Sequence, residues 1–289
     1  PNIEQRGGSV NPINNSLRFF VLFTFAAVGF IGCYFVSSQL ALQLKEHLYQ
    51  LFSNGYLAAT VVELLRLILA TAIAILIAKL LIFVGMVDQD QVNQAYITPV
   101  KDFFDRYGLS LALTILALIG LYRVSDIVLG IIANVFYQDL GFSKNIIASV
   151  VKSFGLGMSI LGGFVGGILA LRYGVMRILF AGAVLSALTN ILFIVLAKAG
   201  QDIGLLYWVI AADNLSAGLA SAAFVAFLSS LTNISFTAMQ YAIFSSMMTL
   251  FPKVLGGYSG AIVEGIGYES FFLVTALMGL PVLFLILWV

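Results

Sequence analysis

The chain contains 289 residues, of which 61% are hydrophobic and 9% are charged. Soluble domains carry about 25% charged residues, so this composition excludes a soluble protein and indicates one that crosses a membrane several times. Because the formal net charge is only +1, no bulk electrostatic attraction to nucleic acid is available, and we expect no nucleic-acid partner.

Eight apolar segments follow one another along the chain, and each reaches the roughly 20 residues that a membrane-crossing helix needs. They cover, to within a few residues, 16–42, 56–87, 109–138, 145–171, 175–198, 205–231, 236–256 and 268–289. The sequence therefore predicts an all-α polytopic membrane protein with eight transmembrane helices. It also predicts three parts: a two-helix segment over residues 1–92, a linker over 93–108 and a six-helix unit over 109–289.

The basic residues of the connecting loops predict the orientation. Eight crossings place both chain ends on one side of the membrane, and that side carries more of the basic residues, as cytoplasmic loops do. They are Arg6, Arg18, Lys101, Arg106, Arg172 and Arg177, against Lys45, Lys144 and Lys198 on the opposite side. We therefore expect both ends in the cytoplasm. The chain starts at Pro1 without an initiator methionine or a signal peptide, which suggests a fragment, a processed chain or one half of a larger protein.

The linker mixes charged residues with Phe103, Phe104 and Tyr107. A helix that carries charges on one face and aromatic rings on another lies at the membrane–water interface. We therefore expect residues 93–108 to form an amphipathic segment on the cytoplasmic surface. The alternative is a segment that binds a regulator or a partner protein.

The third apolar segment carries two charges near its middle, Arg123 and Asp126. A charge at that depth costs about 2.5 kcal/mol or more, so it normally faces a protein interior or a wet cavity. Gly130, Asn134 and Tyr137 continue from this pair at steps of three and four residues, and a continuous helix would carry all five on one face. The stripe indicates either the wall of a transport pathway or the seam of a helix bundle.

Further polar residues lie at comparable depth in other segments. The sixth segment carries Asp213 and Asn214, the seventh carries Gln240, and the fourth carries Lys152. Small residues follow Lys152 at intervals of four: Gly155, Ser159, Gly163 and Gly167. Such a ladder lets neighbouring helix backbones approach closely, either as fixed packing or as a moving interface.

Two cations, Arg123 and Lys152, and two carboxylates, Asp126 and Asp213, thus lie within the membrane segments of the six-helix unit. They either neutralise one another as a buried network or surround a polar cavity. We favour the cavity, in which a carboxylate exchanges protons and a cation meets an anionic substrate group. The sequence has no metal-ligand spacing, no glycine-rich phosphate loop and no nucleophile–histidine pair. We therefore expect no metal, no cofactor and no enzymatic activity.

The loop between the fourth and fifth segments, residues 166–177, reads GGILALRYGVMR. It resembles the loop motif of the major facilitator superfamily, G-x-L-x-D-R-x-G-x-x-R, which follows the second helix of each half of these carriers. Leu171 stands where the motif has aspartate. The matching residues are Gly167, Leu169, Arg172, Gly174 and Arg177. The resemblance implies that the six helices form one half of a carrier.

Five further stretches, residues 99–108, 121–126, 145–152, 213–218 and 235–242, resemble the anhydromuropeptide permease (AmpG) family of that superfamily. The similarity covers about residues 98–289. The first two membrane helices resemble, by architecture alone, a helix pair that some members insert between their halves.

Membership of this family implies a permease of the bacterial inner membrane that imports anhydromuropeptides (GlcNAc-anhydro-MurNAc peptides), with the proton as coupling ion. The family acts in peptidoglycan recycling and β-lactamase induction. On this basis Asp126 and Asp213 would carry the proton. The substrate would contact Arg123, Asn134, Lys152, Asn214 and Gln240.

The resemblance covers only the carboxy-terminal half of such a permease. An amino-terminal carrier half would therefore be a partner, together with membrane lipid and the muropeptide. Since alternating access needs two halves, we expect that this chain does not transport by itself. Two other functions remain open: a different major facilitator carrier, of the acetyl-CoA or drug type, and a non-transporting membrane scaffold subunit.

Overall fold

The computed structural model describes residues 12–52 and 55–289. Over these residues the chain is helical apart from short connections, and eight helical segments are long and apolar enough to cross a membrane. The prediction of an all-α polytopic membrane protein with eight transmembrane helices is confirmed for the described part of the chain.

The chain divides into two compact units, one up to Thr98 and one from Pro99 onward. In the first unit α3 packs along both α1 and α2. The predicted first span, 16–42, is divided by a turn at Ser37, and the residues after it belong to a separate helix. The helices of this unit are α1 (Pro12–Val36), α2 (Ser38–Phe52), α3 (Gly55–Phe83) and α4 (Gln89–Val92), followed by a π-helical turn over Asn93–Ile97.

The second unit contains the six further crossings. A π-helical stretch over Ile147–Phe154 joins α7 to α8, and a 3-10 turn over Ile234–Phe236 precedes α11. Two helices in succession build the third, fourth and eighth crossings, whereas α9, α10 and α11 each cross alone. The helices are α5 (Thr98–Leu121), α6 (Val124–Asp139), α7 (Lys144–Ile146), α8 (Gly155–Tyr173), α9 (Val175–Ala199), α10 (Ile203–Leu231), α11 (Thr237–Gly256), α12 (Ser259–Met278) and α13 (Leu280–Trp288).

Helix α5 includes the end of the predicted linker. Gly108 interrupts this helix with φ 70° and ψ 163°, a conformation that residues with a Cβ atom rarely adopt. The predicted boundary between linker and membrane helix therefore coincides with a kink. In the last crossing the helix starts at Ser259 and is interrupted at Gly267, so the predicted start near residue 268 is wrong and marks a kink inside the crossing.

The third crossing is broken near its middle. Tyr122 is buried, stacks on Phe224 with ring centroids 4.4 Å apart, and donates its hydroxyl to the Leu179 carbonyl oxygen at 3.0 Å. Arg123 then has φ −98° and ψ 8°, and α6 starts at the next residue. The predicted third span is therefore divided just before α6. The predicted stripe still lies on one face, because Arg123 is the N-cap of α6 and its carbonyl oxygen accepts from the Ile127 N–H at 3.0 Å. One cavity is lined by all five of its residues: Arg123, Asp126, Gly130, Asn134 and Tyr137.

Helices α8 and α10 make the most extensive helix contact of the described chain. A Cβ atom on Gly162 would lie 2.1 Å from the Leu215 carbonyl oxygen, and one on Gly218 would lie 2.1 Å from the Ser159 carbonyl oxygen. Both distances are too short for any side chain, so only glycine fits where the two backbones meet. Around Gly167, a member of the predicted ladder, no described atom of another helix lies within 4 Å of a Cβ position. The predicted ladder therefore contacts α10 through Gly155, Ser159 and Gly163 but not through Gly167, and Gly162 beside it adds a further close contact.

The buried apolar side chains of the second unit form two clusters. Along α9 the core of one cluster ends at Ala183 and that of the other starts at Phe193, and along α10 the corresponding limits are Ile210 and Leu219. Polar residues occupy these intervals, and Arg123 lies at the same boundary in the third crossing. The unit therefore has a polar layer between two apolar layers, near the middle of its helices.

Candidate functional site

An open cavity of about 410 Å³ lies at this polar layer, between α6, the π-helical stretch, α8 and α10. The residues that line it come from three separate segments of the sequence, and the fold brings them to one surface. They include six of the seven residues that the sequence analysis assigned to the substrate or the proton: Arg123, Asp126, Asn134, Lys152, Asp213 and Asn214.

Arg123 and Asp126 form an ion pair at the start of α6. Arg123 Nε lies 3.3 Å from Asp126 Oδ2, and the two side chains are 22% and 16% exposed. Ser186 donates a hydrogen bond to Asp126 Oδ1, and Arg123 donates one to Ser221 Oγ. Each member of the pair therefore has a protein partner in addition to the other.

The other two charges of the cavity, on Asp213 and Lys152, have no ionic partner within 4.0 Å among the described residues. Asp213 Oδ1 lies 3.5 Å from Thr189 Oγ1, which is its one side-chain hydrogen-bond contact among the residues that the structure describes. Lys152 is exposed. One carboxylate and one cation of the cavity are thus without an ion pair within the described residues.

Lys152 belongs to the π-helical stretch Ile147–Phe154. A π-helix is rare and occurs frequently at functional sites. Where the stretch ends, α8 comes close to α10, since a Cβ atom on Gly155 would lie 3.1 Å from Asn214 Nδ2. This local backbone geometry positions Lys152 and Asn214 on adjoining walls of one cavity.

Sequence reasoning missed that three hydroxyl residues contact these charges: Ser186, Thr189 and Ser221. Serine and threonine in membrane helices commonly bond their own backbone, as Ser221 Oγ does to the Ala217 carbonyl oxygen at 2.6 Å. The presence of a serine or threonine in a membrane helix therefore does not indicate a functional site by itself. The available signal was on α9, where Ser186, Thr189 and Asn190 form a polar cluster within one turn of an otherwise apolar helix.

Asn190 joins three helices at the level of the cavity. Its Nδ2 donates to Ser125 Oγ at 2.6 Å, and Ser125 donates to the Thr275 carbonyl oxygen at 2.7 Å. All three residues are buried. This chain of hydrogen bonds ties α6, α9 and α12 together.

Gln240, the seventh predicted residue, does not line the cavity. It is 1% exposed, and its Oε1 accepts from the Asn233 backbone N–H at 2.7 Å and from Arg106 at 3.2 Å. Its Nε2 donates to the Pro99 carbonyl oxygen at 2.8 Å and to Asp102 at 2.9 Å. The amide therefore has its full set of partners and ties the start of α5 to the α10–α11 connection.

The loop motif lies at the junction of α8 and α9, away from the cavity. Gly174 has φ 91° and ψ 147° and ends α8, in a backbone conformation that favours glycine. Arg172 and Arg177 are exposed on either side of it, and Leu171, at the aspartate position, is 91% exposed. The motif makes a tight turn that presents two cations.

A larger groove of about 660 Å³ runs between α5 and α13. Its described lining residues are mainly apolar, with Leu280 and Phe284 among them. They offer the Thr114 hydroxyl and the Trp288 indole N–H but no charged group. The charged cavity is therefore the candidate functional site.

A unit of six membrane helices with a charged cavity near mid-depth is the architecture of one half of a secondary transporter. The comparison with known families agrees with this class. The sequence profile of the Major Facilitator Superfamily matches residues 114–289. The chain belongs to this superfamily of multi-pass membrane transporters, which confirms the resemblance inferred from the loop motif.

Comparison with individual curated proteins indicates which family within the superfamily the chain resembles. The chain is 35% identical over 192 residues to "Putative transporter AmpG 4" of Rickettsia conorii, covering 66% of this chain and 46% of that protein. It is 33% identical over 189 residues to "Putative transporter AmpG 1" of Rickettsia bellii, covering 65% and 46%. An uncharacterized protein of Haemophilus influenzae is 36% identical over 214 residues, covering 70% and 50%. The predicted resemblance to the AmpG family is confirmed, and the chain spans about half the length of the curated relatives it matches.

Proposed function

We propose that residues 99–289 form one half of a proton-coupled permease that imports anhydromuropeptides across the bacterial inner membrane. The imported GlcNAc-anhydro-MurNAc peptides would serve peptidoglycan recycling and β-lactamase induction. Similarity to proteins named AmpG transporters supports this family of substrates. The observation that carries the proposal is a single cavity that holds an ion pair, an accessible lysine and a carboxylate without a cationic partner among the described residues.

The chemistry of the cavity suits the groups of an anhydromuropeptide, which are peptide carboxylates, acetamido groups and sugar hydroxyls. Lys152 supplies a cation for a carboxylate. Asn134 and Asn214 supply amide donors and acceptors for hydroxyl and acetamido groups. Arg123 adds a second cation, although part of its donor capacity is used within the protein.

Asp126 and Asp213 are the two groups of the cavity that can carry a coupling proton. Asp126 has a cationic partner, Arg123, at 3.3 Å, so a proton that arrives there competes with an existing ion pair. Asp213 has no cation within 4.0 Å in the described chain, so a proton binds there without breaking an ion pair. We therefore assign the transported proton to Asp213 and a supporting role to Asp126.

Transport requires a second carrier half. Alternating access is the rocking of two repeats around a shared site near the middle of the membrane. In the proposal an amino-terminal half supplies the opposite wall of the cavity, and both ends of the present chain face the cytoplasm. The coupling ion is the proton, and neither a metal nor another cofactor takes part.

Uptake of a labelled anhydromuropeptide tests the proposal in membrane vesicles that contain the chain together with the amino-terminal half. An imposed proton gradient should drive accumulation of the label. Asp213→Asn should abolish this accumulation, because the amide binds no proton. Asp105→Asn is the matched control, since Asp105 is exposed and lies outside the cavity, and it should accumulate the label normally.

Competition identifies the substrate class. Unlabelled muropeptide should reduce uptake of the label, whereas acetyl-CoA and unrelated drugs should not. Unchanged accumulation in Asp213→Asn would contradict the assigned proton role. No gradient-driven uptake by the unaltered carrier, or competition by acetyl-CoA alone, would contradict the muropeptide function itself.

A further inference from the structure

Two side chains of α9 reach both carboxylates of the cavity, although no residue of this fully described helix lines it. Ser186 donates a hydrogen bond to Asp126 Oδ1, and Thr189 Oγ1 lies 3.5 Å from Asp213 Oδ1. Ser186 and Thr189 are 8% and 6% exposed. Each carboxylate thus has one buried hydroxyl partner on α9, on the side away from the cavity.

The Thr189 hydroxyl has two hydrogen-bond acceptors within reach but only one hydrogen to donate. It lies 3.0 Å from the Ser186 carbonyl oxygen and 3.5 Å from Asp213 Oδ1. Because a hydroxyl carries one hydrogen, it donates to only one of these acceptors at a time. The Ser186 hydroxyl, in contrast, has one acceptor among the residues that the structure describes, Asp126 Oδ1.

The protonation of Asp213 decides which acceptor the Thr189 hydrogen serves. An ionised carboxylate only accepts, so Thr189 then donates to Asp213 and leaves the Ser186 carbonyl. A protonated carboxyl has an O–H of its own, which donates to Thr189 Oγ1 and returns the Thr189 hydrogen to the Ser186 carbonyl. Both acceptors lie within hydrogen-bond distance of Thr189 Oγ1, so the exchange requires only a rotation of the hydroxyl hydrogen.

Few charged groups surround Asp213. Arg123, Asp126 and the Tyr137 phenol line the same cavity from α6, Lys152 lines it from the π-helical stretch, and α9 presents hydroxyls to the two carboxylates. Since no described cation lies within 4.0 Å of Asp213, Thr189 is the side chain there that is placed to hydrogen-bond either form of the carboxyl.

We propose that Thr189 is a positioning residue for proton coupling, whose hydroxyl exchanges hydrogen bonds as Asp213 gains and loses its proton. Ser186 supports it, because its carbonyl is the alternative acceptor and its hydroxyl holds Asp126. The inference rests on the proposed function, in which Asp213 carries the coupling proton, and it requires no contact between α9 and the substrate.

The first test compares two transport modes of the complete carrier. Counterflow exchanges labelled for unlabelled substrate without net proton movement, whereas accumulation requires Asp213 to bind and release a proton in every cycle. Thr189→Val keeps the shape of the side chain and removes the hydroxyl. It should retain counterflow and lower accumulation about tenfold, the scale of one lost hydrogen bond to a charged group. Thr189→Ser should restore accumulation.

Ser216→Ala is the matched control. Ser216 is also buried, on α10, and its hydroxyl has no hydrogen-bond partner among the described residues, so both modes should be unchanged. Ser186→Ala should lower accumulation less than Thr189→Val, since Asp126 keeps Arg123. Equal loss of both modes in Thr189→Val, or failure of serine to restore accumulation, would overturn the proposal.

Infrared spectroscopy of the purified complete carrier tests the contact without transport. A protonated carboxyl has its own C=O stretching band, and the band of Asp213 is the one that Asp213→Asn removes. It should move in Thr189→Val and return in Thr189→Ser, because the hydroxyl accepts a hydrogen bond from the carboxyl. A band that does not move overturns the inference even in an active carrier. A band that moves in a carrier without muropeptide uptake supports the inference and refutes only the proposed substrate.

Discussion

Glu63 and Arg66 on α3, and Arg123 and Asp126 at the start of α6, are two acid–arginine pairs with the same spacing, each inside a membrane crossing. Their N···O distances are also similar, 3.0 and 3.3 Å. In the sequence the two pairs look alike. In the structure they differ in the number of partners that other helices supply.

The pair of the first unit is surrounded by protein partners. Lys45 Nζ lies 2.7 Å from Glu63 Oε1, and the Tyr34 hydroxyl donates to the other oxygen of the same carboxylate. Arg66 donates to the Tyr34 carbonyl oxygen and, at 3.3 Å, to Ser37 Oγ, where α1 ends and α2 begins. Its guanidinium also lies 3.9 Å from the centroid of the Tyr34 ring. This pair holds a helix break together.

The pair of the second unit has fewer partners and faces a cavity. Arg123 Nε is buried and makes no hydrogen bond to the described chain, although it lies 3.3 Å from Asp126. Lys152 and Asp213 share the cavity without an ionic partner in the described residues. The spacing of charges therefore does not separate the pair that joins helices of the first unit from the pair that we propose to be functional, whereas the partners supplied by other helices do.

Loss of Arg66 should produce the largest change in stability. Arg66→Ala removes the contacts to Glu63, Tyr34 and Ser37 and should lower the free energy of unfolding by about 3 kcal/mol, the scale of several lost hydrogen bonds of about 1 kcal/mol each, while Glu63 keeps Lys45. Denaturant unfolding of the purified protein in detergent measures this. Lys79→Ala, at an exposed position of the same helix, should cost less than about 0.5 kcal/mol. Uptake lost without a loss of stability would break the comparison, because the first pair would then be functional.

Loss of Arg123 should act more on transport than on stability. Arg123→Gln should cost about 1 kcal/mol of unfolding free energy, because Asp126 keeps its hydrogen bond from Ser186 and the change removes one hydrogen bond to Ser221 Oγ and the contact to Asp126. Muropeptide uptake should fall about tenfold, the scale of one lost charge-assisted contact. The measurements are unfolding in detergent and vesicle uptake per folded carrier.

The double variant Arg123→Gln/Asp126→Asn separates the two effects. It leaves no unpaired charge at the pair, so stability should recover while uptake stays low. The corresponding variant of the first unit, Glu63→Gln/Arg66→Gln, should leave uptake per folded carrier unchanged. If the Arg123 double variant regained uptake together with stability, the second pair would be as structural as the first.

The architecture could be predicted from the sequence. A helix that crosses the bilayer satisfies its backbone hydrogen bonds internally and needs about 20 mostly apolar residues, and such segments are easily recognised. The breaks inside the crossings could not. The turn at Arg123 follows Tyr122, which is held by the Phe224 ring and by the Leu179 carbonyl oxygen. These partners are distant from Tyr122 in the sequence, 57 residues in the case of Leu179, but they contact it in the fold. No local pattern encodes such contacts.

The charged residues of the candidate site could be predicted for a related reason, since a charge inside a membrane helix is costly and rarely accidental. Their partners could not. Ser186 and Thr189 are ordinary residues for a membrane helix, and only the packing of α9 directs them at the carboxylates. For Gln240 the sequence was misleading in the other direction. We predicted that it contacts the substrate, but its amide donates to the Pro99 carbonyl oxygen and to Asp102 on α5.

Replacement of Lys152 should change stability least and substrate recognition most specifically. Lys152 is exposed, so Lys152→Gln should alter the free energy of unfolding by less than about 0.5 kcal/mol. The KM for a muropeptide with free peptide carboxylates should rise about tenfold, as expected for one lost charge-assisted contact, while the KM for the same molecule with amidated carboxylates should stay unchanged. Lys144→Gln, outside the cavity, should affect neither substrate. An equal rise for both substrates would show that Lys152 does not recognise carboxylates, and accessibility of a charge would then no longer distinguish the second unit from the first.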